Sequence, residues 1–313
     1  MKRALLVLMI LGLVGSATAR APLGYPPLGL EPLPASVAAR YARSVPVPST
    51  LPTSLDWRES GVVTPPRAQQ DCGACWAFAG IACFESMCIL AGASHSINLS
   101  EQYPISCDTQ ARPEFGGFQN DGCCGGSCTV FEFFVENLAI TEARFPYGNG
   151  DFDGDGPRDC AGSPGWETVP CPEELPTPSG WRVQDWNLIA PQPVPGVPQL
   201  KTALQSGPVW AGMYVYQDFY TYWESGDADL PYRHQDGALL GGHAVLLIGY
   251  DDDGQYWIAK NSWGPTGPFG DGTFHIHYDA DCDFGLNASQ IMVMGDDVPA
   301  QVTTWGGLKA MFR

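Results

Sequence analysis

The stretch Gln69-Gln70-Asp71-Cys72-Gly73-Ala74-Cys75-Trp76-Ala77-Phe78 puts a thiol, Cys75, where a glycine-broken loop runs into an apolar pattern of helical spacing. The positive end of a helix dipole favours thiolate over thiol, which suits a cysteine there to attack a carbonyl carbon. An unassisted thiol has a pKa of about 8.5 and is only slightly ionised at neutral pH, so the nucleophile needs a base. His243, in Leu239-Leu240-Gly241-Gly242-His243-Ala244-Val245-Leu246, is the candidate base, and Asn261, in Lys260-Asn261-Ser262-Trp263-Gly264, is the candidate to hold its ring. As imidazolium, His243 would stabilise the thiolate and then protonate a leaving amine. Each residue taken singly is more often structural, and a lone Cys-Gly-Ala-Cys also suits a disulfide loop or half a zinc site. The ordered set is what favours chemistry.

That set resembles the papain-like cysteine peptidases, with a Cys-Gly-Ala-Cys-Trp run followed far downstream by histidine and asparagine. Leu55-Asp56-Trp57-Arg58, Leu99-Ser100-Glu101-Gln102, Gly122-Cys123-Cys124-Gly125-Gly126 and Phe145-Pro146-Tyr147 are further landmarks in that family's order, so the resemblance covers Leu51 to Gly295. It implies an α+β fold of two lobes, a helical N-terminal lobe and a β-barrel-like C-terminal lobe, with the active cleft between them. It also implies hydrolysis of peptide bonds in protein or peptide substrates through a Cys75 thioester, with His243 as acid and base and Asn261 orienting the ring under Trp263. Gln69 matches the family's oxyanion glutamine, paired with the Cys75 backbone N–H; losing one such donor costs about 3 kcal/mol. Gln70 is the weaker candidate for that role. Gly125, Gly126 and Gly242 match positions that touch extended substrate backbone, where a missing side chain lets a peptide lie close. Cys128 stands on the wall of the pocket for the substrate's second residue, an unusual occupant there. Disulfides Cys72–Cys123 and Cys107–Cys160 are implied, while Cys83, Cys88, Cys124, Cys128, Cys171 and Cys282 cannot be paired from sequence. The resemblance implies no cofactor for catalysis. A paired-histidine insertion of the cathepsin B kind is absent, which favours endopeptidase activity, and His234 reads as structural.

The elements that must position these groups follow from residue pattern. Apolar residues recur at helical spacing from Cys75 to about Ala91, and Thr129 to Leu138 reads as a second helix. Beyond Pro208 the β-branched and aromatic runs 209–215, 244–250, 256–260 and 273–278 read as strands. The helical lobe is thus expected at about 60–175 and the β lobe at about 176–295. The Pro-rich stretch 148–199 reads as an irregular surface excursion.

Residues 1–19 read as a secretory signal and predict an exported protein: Lys2 and Arg3, an apolar run, then Ala17-Thr18-Ala19. The run is too short for a comfortable membrane span. Residues 20–50 hold seven prolines and one short helical stretch, Ala35 to Arg43, and read as a linker or pro-segment too short to block a cleft. Residues 296–313 form a tail beyond the last family-like strand. Eleven cysteines fit an oxidising compartment, one as nucleophile and ten as five bridges. A net charge of -18 argues against nucleic acid and anionic membranes as partners and keeps the chain soluble, and a monomer is expected.

One acidic turn stands apart. Asp151, Asp153 and Asp155, with Gly156 next and Asp159 beyond, match the start of a calcium loop, although Gly162 replaces the bidentate glutamate that closes an EF-hand. A structural calcium ion is the corresponding expectation, weighed against a merely hydrated turn.

Overall fold

The computed structural model describes residues 28–44, 46–148, 169–225 and 229–295. In chain order its elements are α1 (Ala35–Tyr41), β1 (Ser54–Asp56), α2 (Cys75–Leu90), α3 (Gln102–Cys107), α4 (Val130–Glu136), β2 (Trp181–Leu188), α5 (Val197–Leu204), β3 (Val209–Tyr216), α6 (Gln217–Ser225), β4 (Leu239–Asp251), β5 (Tyr256–Lys260), β6 (Thr273–His277) and β7 (Leu286–Gly295). The signal, the tail and the candidate calcium carboxylates Asp151, Asp153, Asp155 and Asp159 lie outside the described residues.

Every residue of α2 is buried, more than the one-sided burial of an ordinary surface helix. It packs on β3, β4, β7 and α4. Its one carboxylate, Glu85, is fully met: it accepts from Arg67 Nη2 at 3.0 Å, Thr64 Oγ1 at 2.6 Å and the Leu99 N–H at 2.8 Å. A buried charge persists only when paired and hydrogen-bonded in this way. Lys260, at the end of β5, donates to the same Thr64 hydroxyl at 3.1 Å, so the helix and the sheet share one polar core.

The sheet runs β2-β7-β3-β4-β5-β6, and β1 pairs with β4. All its pairings are antiparallel. It does not close, so the expected barrel-like lobe is a curled open sheet with β2 and β6 at its edges. Strand β2 corrects the reading of 148–199 as wholly irregular. The run Trp181-Arg182-Val183 to Leu188 pairs along β7 and buries Val183, Trp186 and Leu188, and these contacts override the proline-rich flanks.

The bridges also depart from expectation. Cys72 joins Cys123, but Cys107 joins Cys171 rather than Cys160. The segment after 168 folds back over α3, where Ser106 Oγ donates to the Val169 carbonyl at 2.5 Å, and this brings Cys171 to the helix end. Cys124 is also disulfide-bonded. Cys83, Cys88, Cys128 and Cys282 are buried free thiols, so the ten other cysteines do not make five bridges.

Candidate active site

Cys75 opens α2, and His243 lies within β4, opposite Met213 of β3. The next residue along β4, Ala244, brings its backbone to the thiol, so helix and strand meet at this point. His243 Nε2 lies 2.7 Å from Asn261 Oδ1, which fixes that nitrogen as the donor and leaves Nδ1 buried with no hydrogen-bond partner, the Cys75 thiol included. The same Oδ1 accepts from the Ser262 N–H at 2.8 Å, which locks the amide. The Trp263 ring stands 5.0 Å from the imidazole, and Tyr220 of α6 stacks on that indole at 5.3 Å.

Gln69 is fully buried, three residues ahead of the Cys72 disulfide. Its Nε2 donates to the Cys72 carbonyl at 2.8 Å and its Oε1 accepts from Ser262 Oγ at 2.6 Å. The Tyr147 hydroxyl donates to the Gln69 carbonyl at 2.6 Å. Ser262, Tyr147 and Tyr220 are supports the sequence reading passed over. Ser262 and Tyr147 stand in runs already singled out, without a role assigned to them there, whereas Tyr220 is brought in only by the fold.

The largest departure from expectation is in the cleft, where residues 28–31 lie across the site. Leu30 donates its N–H to the Gly242 carbonyl at 3.0 Å, Glu31 donates to the Gly126 carbonyl at 2.9 Å, and the Gly126 N–H donates back to the Gly29 carbonyl at 2.8 Å. Leu30 thereby pairs parallel to Gly126 and antiparallel to Gly242. The expectation that the N-terminal segment is too short to block the cleft is therefore wrong: four residues suffice when they are extended. Gly29 fits because any β-carbon there would collide with the Gly73 carbonyl. Gly126 has the Trp76 ring and Asn120 Oδ1 2.6 Å from where its β-carbon would be, and Gly125 has φ of +136°, which side chains rarely adopt. Cys128 is buried beside the Ser127 and Ser289 hydroxyls.

Cover and burial set the protonation states. Burial pushes the Cys75 thiol up to about 11, against backbone contacts from Ala244, Gly29 and Trp76 that pull it down. Burial likewise holds His243 down at about 4, despite the Asn261 bond. In this covered state desolvation thus favours the neutral forms of both groups.

His234 is bonded at 3.1 Å to both Asp218 carboxylate oxygens and stacks on Tyr216 at 3.7 Å. Among the described residues no three His, Cys, Asp or Glu side chains group as a metal site would require, and no helix is long and apolar enough to cross a membrane.

A family model described as papain family cysteine protease matches residues 51–294. Cathepsin B-like CP2 of Giardia intestinalis is 34% identical over 225 residues, covering 69% of this chain and 65% of that protein. The oryzain beta chain of Oryza sativa subsp. japonica is 34% identical over 69% of this chain but only 40% of its own length. The chain thus spans less than two thirds of both relatives. Among solved structures, a procathepsin B from Trypanosoma congolense superposes with a TM-score of 0.62 at 22% identity, over 86% of each chain. The bromelain protease from Ananas comosus, with an inhibitor bound, superposes with a TM-score of 0.54 at 26% identity, over 77% of this chain and 99% of that one.

Proposed function

The chain belongs to the papain family of cysteine proteases, and on that premise we propose that it is an exported endopeptidase, made as a zymogen, that cleaves protein or peptide substrates. The observation that carries this reading is the His243 ring, tied at Nε2 to Asn261 with Nδ1 buried and unpartnered beside the cleft. In the uncovered site the Cys75 thiol gives its proton to Nδ1, and the thiolate sulfur attacks the scissile carbonyl carbon. The carbonyl electron pair moves to oxygen, where the Cys75 N–H and the Gln69 side-chain amide receive it. Collapse expels the amine, which takes the proton from His243, and a thioester remains on Cys75. Water, deprotonated by His243, then displaces the thiolate and releases the acid. Gly125, Gly126 and Gly242 hold the substrate backbone; Gly126 and Gly242 bond residues 29–31 in the covered state.

The covering segment runs parallel to the segment at Gly126, whose N–H engages the Gly29 carbonyl. We assign residues 1–19 to the signal, 20–50 to the inhibitory pro-segment and 51–295 to the peptidase.

The test is hydrolysis of a peptide library by the processed enzyme in the presence of a competing amine, with products identified by mass. Water-derived acids that vanish in Cys75→Ala are the expected result; amine adducts in place of acids would make the protein a transacylase. No cleavage by wild type would dispose of the peptidase reading.

A further inference from the structure

We propose that the cleft is held shut by an anchor at residues 33–43, docked on the surface around Phe115, Trp186 and Asn287, more than by the four residues lying in it. The inference rests on the reading of residues 28–31 as inhibitory. Those four residues bond through backbone groups that water satisfies equally well once they leave, and among their side chains only Leu30 is deeply inserted. It fills the space over Gly212, whose β-carbon would meet its Cδ2 at 2.6 Å.

The next residues attach far more firmly. Leu33 is buried and donates its N–H to Asn287 Oδ1 at 2.9 Å; that amide is itself buried, and its Nδ2 has no partner. Val37 and Ala38 of α1 are buried. Tyr41 stacks on Trp186 with centroids 5.6 Å apart and meets Phe115 at 4.6 Å. Arg43 grips Asp185 with both guanidinium nitrogens and donates its N–H to the Leu188 carbonyl at 2.9 Å, while Arg40 Nη2 donates to the Glu114 carbonyl at 2.8 Å.

A seven-residue helix does not persist alone in water, so α1 exists because this surface templates it, and losing one strong contact should release the whole helix. The tether arithmetic follows. With the anchor docked, Glu31 is two residues from the fixed Leu33; with it released, the next fixed point is near Leu51, twenty residues away. The effective concentration of the cleft strand then falls steeply, and the site opens.

The experiment uses the full chain and measures the rate at which a thiol-directed epoxide alkylates Cys75, with labels counted by mass. Tyr41→Ala is expected to label at one site at least about ten-fold faster than wild type and close to the rate of Leu30→Asp, with Asp185→Asn in between. Wild-type rates in Tyr41→Ala and Asp185→Asn beside fast labelling in Leu30→Asp would overturn the anchor, since the strand would then hold itself. Wild-type rates in all three, with the peptide assay still positive, would remove the closure reading and the anchor together while leaving the peptidase intact. If Tyr41→Ala takes up labels at the buried cysteines as well, it has unfolded, and Asp185→Asn alone decides between the first two outcomes.

Discussion

The helix that carries Cys75 and the strand that carries His243 hold their side chains by opposite means. Helix α2 is enclosed on all sides, so Cys75 is placed by packing against rigid neighbours. Strand β4 is placed by hydrogen-bond register with β1, β3 and β5, and its working end, around Leu239 to Gly242, is partly open. The helix wall should therefore govern stability, and the strand wall orientation and access.

The sharpest test separates the two properties on one residue. Cys75→Ala is expected to lower kcat by at least about 10⁴-fold with the thermal midpoint nearly unchanged, because a nucleophile is removed and little volume is lost. A large fall in midpoint would mean that the thiol is a packing group. Deeper in the same helix, Phe84 is fully buried with an edge contact to Phe134 at 5.2 Å. Phe84→Ala should cost about 3–5 kcal/mol in denaturant unfolding while the folded fraction keeps its kcat. On the strand side, Asn261→Ala should lower kcat about ten- to a hundredfold, with KM and stability nearly unmoved, as expected for losing the partner that orients a general acid–base. If Phe84→Ala changed kcat and Asn261→Ala changed stability, the comparison would be reversed.

Acid should loosen the cover. His243 stays neutral in the covered site down to about 4, whereas an exposed imidazole protonates near 6.5. The uncovered state therefore binds a proton that the covered state refuses between those values. The covered state has its full advantage above about pH 6.5 and loses it as pH falls toward 4. Glu31, raised by burial and then by Asp121, opposes this at the acid end, since the docked segment favours its protonated form. Cys75 labelling in the full chain should rise about tenfold or less from pH 7 to 5, and a flat profile would sink the assignment. The smallest effect is expected from Ser262→Ala, which frees one face of Gln69: a roughly fivefold drop in kcat, the worth of about one hydrogen bond.

How far these features could be read from the chain depends on what holds each one. Cys75, His243, Asn261 and Gln69 could be singled out because their types and spacing resemble the papain-like motifs, and the fold links His243 to Asn261 and Gln69 to Ser262. Helix α2 and strands β3 to β6 were legible from periodicity. Residues 28–31 were not, because a Leu-Gly-Leu-Glu run bonds through its backbone and any extended peptide could do the same. Strand β2 was hidden by the prolines around it. The partner of Cys107 was not legible because pairing depends on where the chain after 168 returns, which local sequence does not encode.

The buried thiols set a race during folding. Cys83 and Cys88 share α2, Cys128 lies just ahead of α4 and Cys282 precedes β7, all enclosed and unbridged beside the disulfides. In an oxidising medium each is open to mispairing until its surroundings close. Collapse around α2 must therefore outrun oxidation, and the yield of native protein is set by the order of those two events. Refolding a reduced chain with the oxidant added after collapse should recover more active molecules than refolding with it present from the start.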